Sequence, residues 1–314
     1  MNPLATLRAR THRLFVPIIM LSLAALFVVA LEATRDDGAF NRDTFRNSDS
    51  ASSEAAITVG GDRLADLYLP TDYNVESPVA LLVNLHGYGG DTISQSSYTF
   101  LQSAADLRGV AYIAPNGLPD SSGSRFWNAS SACCNFGNSK VSDVDYISDL
   151  IKEISSKVSI DQSRIYLFGH SNGHFMSYKF ACSTKGVVTA IAGLAGAMDS
   201  DETKCGKEPM NVLHMHGTSD ATISYEGGNL VGNPYPSAQA SVEQWAAINS
   251  CSAPQEKELE LLTSVQNTET TAISYTCKKG ALALWRINGG VHTPSLDQEF
   301  ALRTLDWLLT HRKK

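Results

Sequence analysis

A mostly parallel α/β sheet with helices on both faces is the fold this sequence predicts. Short apolar runs of strand length recur along the chain, several almost free of polar residues, as strands covered on both faces require. Longer stretches of helical periodicity lie between them, and strand alternating with helix is the order that builds a parallel sheet. The 314 residues, 43% of them hydrophobic, are enough for one substantial core.

At the N-terminus, Arg8, Arg10 and Arg13 precede an uncharged, largely apolar run from Leu14 to Leu31, which Glu32 ends. A basic flank before an apolar stretch is an export signal, because the arginines stay on the cytoplasmic side. The run exceeds the ~7–15 residues of a signal-peptide core and approaches the ~18 that span a bilayer. Residues 1–33 therefore read either as a signal peptide, cut after Ala30 or Ala33, or as a signal anchor. Both place the remaining chain outside the membrane, secreted or periplasmic, and an anchor is the membrane contact expected. Residues 34–56, rich in Ser, Asp, Asn and Arg, bury too little apolar surface to offset the entropy of ordering and read as a flexible linker.

The catalytic domain is expected over residues 57–314. The segment Asp62–Asp72 reads as an edge hairpin. Strands are expected at Val79–Asn84, Ala111–Ala114, Arg164–Phe168, Ala190–Ala195, Val212–Met215 and Ala281–Arg286. Helices are expected at Ser96–Leu107, Ser142–Ser156, Ser171–Cys182, Ser237–Ala247 and Ser295–Leu309. The last opens on Ser295-Leu296-Asp297-Gln298, a capping-box pattern, and presents Phe300, Leu302, Leu305 and Leu308 at helical spacing. A formal charge of −7 with few basic clusters argues against nucleic acid as a partner. Six cysteines in an exported chain imply disulfides, but 15 connectivities are open to them. No C-x-x-C spacing occurs, so no metal site is expected.

The chemistry centres on Gly169-His170-Ser171-Asn172-Gly173, directly after the strand that ends at Phe168. This is a G-x-S-x-G nucleophile elbow, the mark of an α/β-hydrolase fold. The bare pattern turns up by chance in roughly one in ten chains of this length; its place between strand and helix gives it meaning. A serine hydroxyl needs a base, and the base needs a partner that fixes its tautomer. In this fold both follow the serine in the order acid, then histidine. The strand Val212–Met215 leads to Asp220, and the strand Ala281–Arg286 leads to His292. Ser171, Asp220 and His292 thus all fall at the carboxyl edge of the sheet, where such folds bind ligands. Asp199 and Asp201, after the preceding strand, are rivals for the acid. His170 and His174, four apart, lack the Glu of a zinc-binding H-E-x-x-H. The oxyanion hole calls for two backbone N–H donors. Asn172 at the helix start supplies one, and Tyr88 in Leu85-His86-Gly87-Tyr88-Gly89-Gly90 supplies the other.

With these motifs in place, the chain from about residue 60 onward resembles secreted polyhydroxybutyrate depolymerase-like and feruloyl esterase-like hydrolases, akin to carbohydrate esterase family 1. The resemblance runs through His86 to Gly90, Trp127-Asn128, Cys133-Cys134, Asp143-Val144 and Gly169 to Gly173. It continues through His216-Gly217-Thr218-Ser219-Asp220, Tyr225 and Gly227-Gly228, and ends at Gly289-Gly290-Val291-His292-Thr293. It implies serine esterase chemistry without a cofactor and a Cys251–Cys277 disulfide; the other four cysteines stay unpaired by it. The chain departs from the pattern at His174, where many relatives carry glycine. It departs again at Pro294-Ser295, where many carry a tryptophan that would line the substrate pocket. Trp127 is expected either to border the substrate pocket or to belong to the core. The expected function is an exported serine esterase. Its expected substrates, met outside the membrane, are feruloyl or acetyl esters of plant polysaccharide or 3-hydroxybutyrate chains. A serine peptidase and a non-catalytic binding protein of the same fold are the alternatives.

Overall fold

The computed structural model describes residues 55–259 and 270–313. The expected signal or anchor and the linker as far as residue 54 lie outside these residues. The last two linker positions, Ala55 and Ala56, instead open the first strand, β1 (Ala55–Val59), which pairs with β2 (Ala65–Tyr68). The edge hairpin is therefore built from β1 and β2, with its turn at residues 60–64, and starts earlier than Asp62.

Along the chain follow β3 (Val79–Leu85), α1 (Thr92–Thr99), α2 (Leu101–Leu107), β4 (Val110–Ile113) and a small ribbon of β5 (Leu118–Pro119) and β6 (Arg125–Phe126). Next come α3 (Asp143–Lys157), β7 (Ile160–His170), α4 (Asn172–Ser183), β8 (Ala190–Leu194) and β9 (Asn211–Gly217). A second ribbon, β10 (Gly228–Leu230) and β11 (Asn233–Tyr235), precedes α5 (Ala238–Asn249). The chain closes with β12 (Cys251–Leu259), β13 (Thr270–Cys277), β14 (Leu282–Ile287) and α6 (Gln298–Leu309).

Ten strands form one sheet in the order β1-β2-β4-β3-β7-β8-β9-β14-β13-β12. The middle six run parallel. Antiparallel pairs extend the sheet at both edges. Alternation along β3 shows why its sequence is almost wholly apolar. Leu81, Val83 and Leu85 join the core under α3, α4 and α5, whereas Ala80 and Leu82 join the core under α2 and α6. Each fully buried leucine contributes about 1.5–3 kcal/mol by leaving water, so a polar residue on either face would be expensive.

Three expectations need correction. The single helix over Ser96–Leu107 is two helices, broken at Phe100, which adopts φ 55° and closes α1 by donating its N–H to the Ser96 carbonyl. The underside of α1 is polar: buried Gln95 donates to Asn84 Oδ1, and Asn84 donates to Thr99 and Tyr112. An apolar pattern could not reveal such a face. The last helix begins at Gln298, capped by Asp297, whose side chain accepts from the Phe300 N–H; Ser295 is exposed and lies before it. The antiparallel strands β12 and β13 stand where no strand is expected, because β12 reads Cys-Ser-Ala-Pro-Gln-Glu-Lys-Glu-Leu, with no apolar alternation. Cys251 and Cys277 face each other across that pair and are joined by a disulfide, as the resemblance implies. Cys182 is bonded to Cys205, and the neighbours Cys133 and Cys134 to each other.

The position of the cap is testable. Asp297→Ala should lower the unfolding free energy by about 1 kcal/mol, read by denaturant titration, and Ser295→Ala should leave it unchanged.

Candidate active site

β7 passes directly into α4, and Ser171 occupies the single residue between them at φ 51°, ψ −118°. That region costs a non-glycine residue about 1–3 kcal/mol unless its surroundings hold it there. Here the Ser171 N–H donates to the Leu194 carbonyl (2.8 Å), and its own carbonyl accepts from His174 and Phe175. The flanking glycines allow the turn to close. A Cβ on Gly169 would sit 2.2 Å from the Gly173 carbonyl group, and one on Gly173 would sit 2.1 Å from the Leu85 carbonyl oxygen. The elbow is thereby pressed against the end of β3.

His292, in the turn between β14 and α6, faces this serine. Its Nε2 lies 3.0 Å from Ser171 Oγ and its Nδ1 lies 2.8 Å from Asp220 Oδ2. The carboxylate can only accept, so Nδ1 carries the proton and Nε2 is left to accept from the serine hydroxyl. Asp220 follows β9, and its Oδ1 accepts the N–H groups of Thr222 and Ile223, both at 2.8 Å. Burial pushes the Asp220 carboxyl up, but hydrogen bonds from His216, His292 and the Ile223 N–H outweigh it, and the group lies well below the usual carboxylate range. The structure thus brings Ser171, His292 and Asp220 into one hydrogen-bonded line.

Two residues hold the histidine turn: His170, weighed in the sequence only as a metal-ligand candidate, and Tyr98, which the sequence does not single out. His170 Nε2–H donates to the His292 carbonyl (3.1 Å), and the Tyr98 hydroxyl donates to the Pro294 carbonyl (3.1 Å). The Tyr98 and His170 rings pack at 5.0 Å. His170 is the variable position of the elbow motif and Tyr98 sits in α1, so no spacing marks either one as a support for His292.

The loop after β3 lies against the elbow: a Cβ on Gly87 would be 3.3 Å from Ser171 Cβ. His86 fixes this loop by donating from Nδ1 to the Gly87 carbonyl and accepting the Gly117 N–H at Nε2. The Gly89 and Gly90 N–H groups are taken by the Arg125 and Gly87 carbonyls; the Tyr88 N–H has no acceptor among the described residues. The Asn172 N–H opens α4, where the first backbone donors lack intrahelical partners. Its side chain clamps Trp127, accepting from the Trp127 N–H (2.7 Å) and donating to its carbonyl (3.0 Å).

Trp127 does not border a substrate pocket. It is fully buried, donates from Nε1 to the His86 carbonyl, and packs between the rings of His86 and Tyr146. Its indole supports the loop that carries Tyr88. A cavity of about 580 Å³ lies along α4, lined in part by Asn128, Phe136, Phe175, Lys179 and Asp199. The rival acids belong to that side: Asp199 pairs with Lys204 at 3.2 Å, and Asp201 caps a short 3-10 turn over Glu202–Lys204. His170 and His174 do not converge, since His170 faces His292 while His174 packs on Tyr178. The His174 side chain fills space left by Gly193 and Gly196, where added Cβ atoms would come within 2.1 and 2.6 Å of it. Among the described residues no group of three His, Cys, Asp or Glu side chains is placed to hold a metal ion.

Residues 74–262 match the family described as phospholipase/carboxylesterase, well over half of the chain. The chain belongs to that family. The matched stretch includes Tyr88, Ser171 and Asp220 and ends before His292. Among curated relatives, feruloyl esterase B of Piromyces equi is 28% identical over 71% of this chain, and feruloyl esterase D of Neurospora crassa is 25% identical over 91% of it. The chain spans 41% of the length of the first and 92% of the second. An acetyl xylan esterase from Aspergillus awamori superimposes with a TM-score of 0.57 at 18% identity, covering 80% of this chain and 98% of that one. The shared architecture is the α/β-hydrolase fold, as the sequence predicts.

Burial pushes the His86 and His170 imidazoles down to about 4, His170 further through the neighbouring His292. Burial and nearby rings hold His174 and His214 well below the usual value. Between about pH 4 and the ordinary imidazole value of 6.5 the unfolded chain binds protons that these folded rings refuse. Stability is therefore fully present above that window and is lost as pH falls through it. For His86 and His170 the loss is about 3 kcal/mol each. Unfolding titrations between pH 7 and 5 should show this decline, and His170→Gln should flatten it by about 1 kcal/mol per pH unit. An unaltered slope would contradict a neutral His170.

Proposed function

We propose that this chain is an exported serine esterase that hydrolyses carboxylic esters through an acyl-enzyme. The observation that carries the reading is the hydrogen-bonded line from Ser171 through His292 to Asp220, set at the carboxyl edge of the sheet. Ser171 Oγ attacks the ester carbonyl while His292 Nε2 takes its proton. Asp220 keeps the ring in the required tautomer and stabilises the imidazolium that forms. The N–H groups of Tyr88 and Asn172 receive the tetrahedral oxyanion, each worth about 3–4 kcal/mol in such sites. His292 returns the proton to the leaving alcohol, then activates a water that releases the acid and frees Ser171.

The relatives support a substrate class. Two feruloyl esterases and a structurally similar acetyl xylan esterase favour feruloyl or acetyl esters of plant polysaccharide. Three disulfides agree with a chain that works in an oxidising compartment, where a polymeric substrate outside the membrane is met. Hydroxybutyrate oligomers are the second ester class to compare, and an anilide of the same acyl group separates esterase from peptidase action.

The full chain should hydrolyse p-nitrophenyl acetate and methyl ferulate. Ser171→Ala should abolish that turnover, and Asp220→Asn should lower kcat by about 10³–10⁴-fold with the fold intact by circular dichroism. Turnover that persists in Ser171→Ala would remove this mechanism. Absence of turnover in the wild type on every ester would favour a binding protein of this fold.

A further inference from the structure

Beneath the site runs a line of polar side chains that the mechanism above does not use. His214 and His216 point to the same face of β9, two residues apart, and Tyr178 rises to meet them from α4. All three are at most 1% exposed. The Tyr178 hydroxyl lies 2.7 Å from His214 Nδ1, and His214 Nε2 lies 3.1 Å from His216 Nδ1. His216 Nε2 then lies 2.7 Å from the Ile223 carbonyl and 3.4 Å from Asp220 Oδ2.

The direction of this line is fixed from its far end. The Ile223 carbonyl only accepts, so His216 Nε2 carries a proton, and in the neutral ring Nδ1 must accept. His214 therefore donates from Nε2 and accepts at Nδ1, which leaves the Tyr178 hydroxyl as donor. Each buried polar atom is satisfied by the next, and the terminal N–H falls between the two ends of the Asp220–Ile223 turn. That turn also presents the Ile223 N–H to Asp220 Oδ1, at 2.8 Å. His216 thus holds the same short loop through the Ile223 carbonyl, and its Nε2 lies 3.4 Å from the Asp220 oxygen that faces His292. The rings of His214 and His216 are nearly parallel, 16° apart, and the Tyr225 ring stands edge-on to His216.

We infer that Tyr178, His214 and His216 form a positioning relay for Asp220, with His216 as the member that holds the carboxylate in line with His292. The inference deepens the serine esterase reading and rests on it. A purely structural filler would satisfy the core equally well, but its loss would not be coupled to Asp220.

A double-mutant cycle reads that coupling. His216→Phe in the full chain should lower kcat about 10–100-fold, with KM within about twofold of the wild type, and His216→Gln, which keeps an N–H donor, should restore part of the loss. In an Asp220→Asn background the same His216→Phe change should cost less than about threefold, because the group it positions is already gone. Equal losses in the two backgrounds, or a folded His216→Phe enzyme with wild-type kcat, would overturn the relay. Should His216→Phe fail to fold, Tyr178→Phe keeps the ring and removes only the first donor. A several-fold fall in kcat with unchanged KM is then expected, and no change would overturn the inference. Nitrogen-15 NMR of the imidazoles gives a readout independent of activity: both His214 and His216 should carry their proton on Nε2, and a proton on Nδ1 of either ring would break the line. Ser171→Ala serves as the control that separates the two ideas. Turnover that survives it defeats the parent mechanism, whereas Ser171-dependent turnover unaffected by His216 defeats only the relay.

Discussion

The backbone at Ser171 cannot relax, and much of the molecule follows from that. A residue at positive φ between a strand and a helix stays there only if its neighbours leave no alternative. Gly173 lies so close to the Leu85 carbonyl that the end of β3 and the first turn of α4 are in contact through backbone alone. That contact brings the Gly87–Tyr88 loop against Ser171. Asn172 then locks the next layer by holding both backbone groups of Trp127, and the buried indole holds His86 in turn. Strain at one residue is thus distributed over two strands, a helix and a loop.

The electrostatic design is equally economical. Four buried imidazoles have depressed proton affinity, while the Asp220 carboxyl lies well below the usual carboxylate range. Burial disfavours charge on the rings, and directed hydrogen bonds favour it on Asp220. His170 illustrates the benefit. As a neutral ring it donates to the His292 carbonyl without placing a positive charge beside the His292 imidazole.

Much of this was legible in the residues themselves. The parallel strands announce themselves because both faces are buried, and their order alone places Ser171, Asp220 and His292 on one edge. The features that escaped share a physical cause: they are polar where an apolar pattern is sought. The underside of α1 buries Gln95 and Thr99 against Asn84, so the helix starts before any hydrophobic periodicity appears. Strand β12 is exposed from Ser252 to Lys257 and is held by register with β13 rather than by burial. Trp127 is ambiguous in sequence because an indole suits a pocket and a core equally well; only its Nε1 bond to the His86 carbonyl decides the matter. The support of His292 by His170 and Tyr98 depends on contacts across more than a hundred residues, which no local spacing encodes.

The outer strand β12 has one further consequence. A strand at the margin of a large sheet offers unpaired backbone to any second strand that drifts alongside, and that is how sheets grow into aggregates. Here the strand carries Pro254, which has no N–H to give, and then exposed Glu256 and Lys257. A neighbouring chain trying to continue the ladder would meet a missing donor and solvated charges of both signs. The polar sequence that hides β12 from a pattern search is also what keeps the sheet finite when many copies share the same solution.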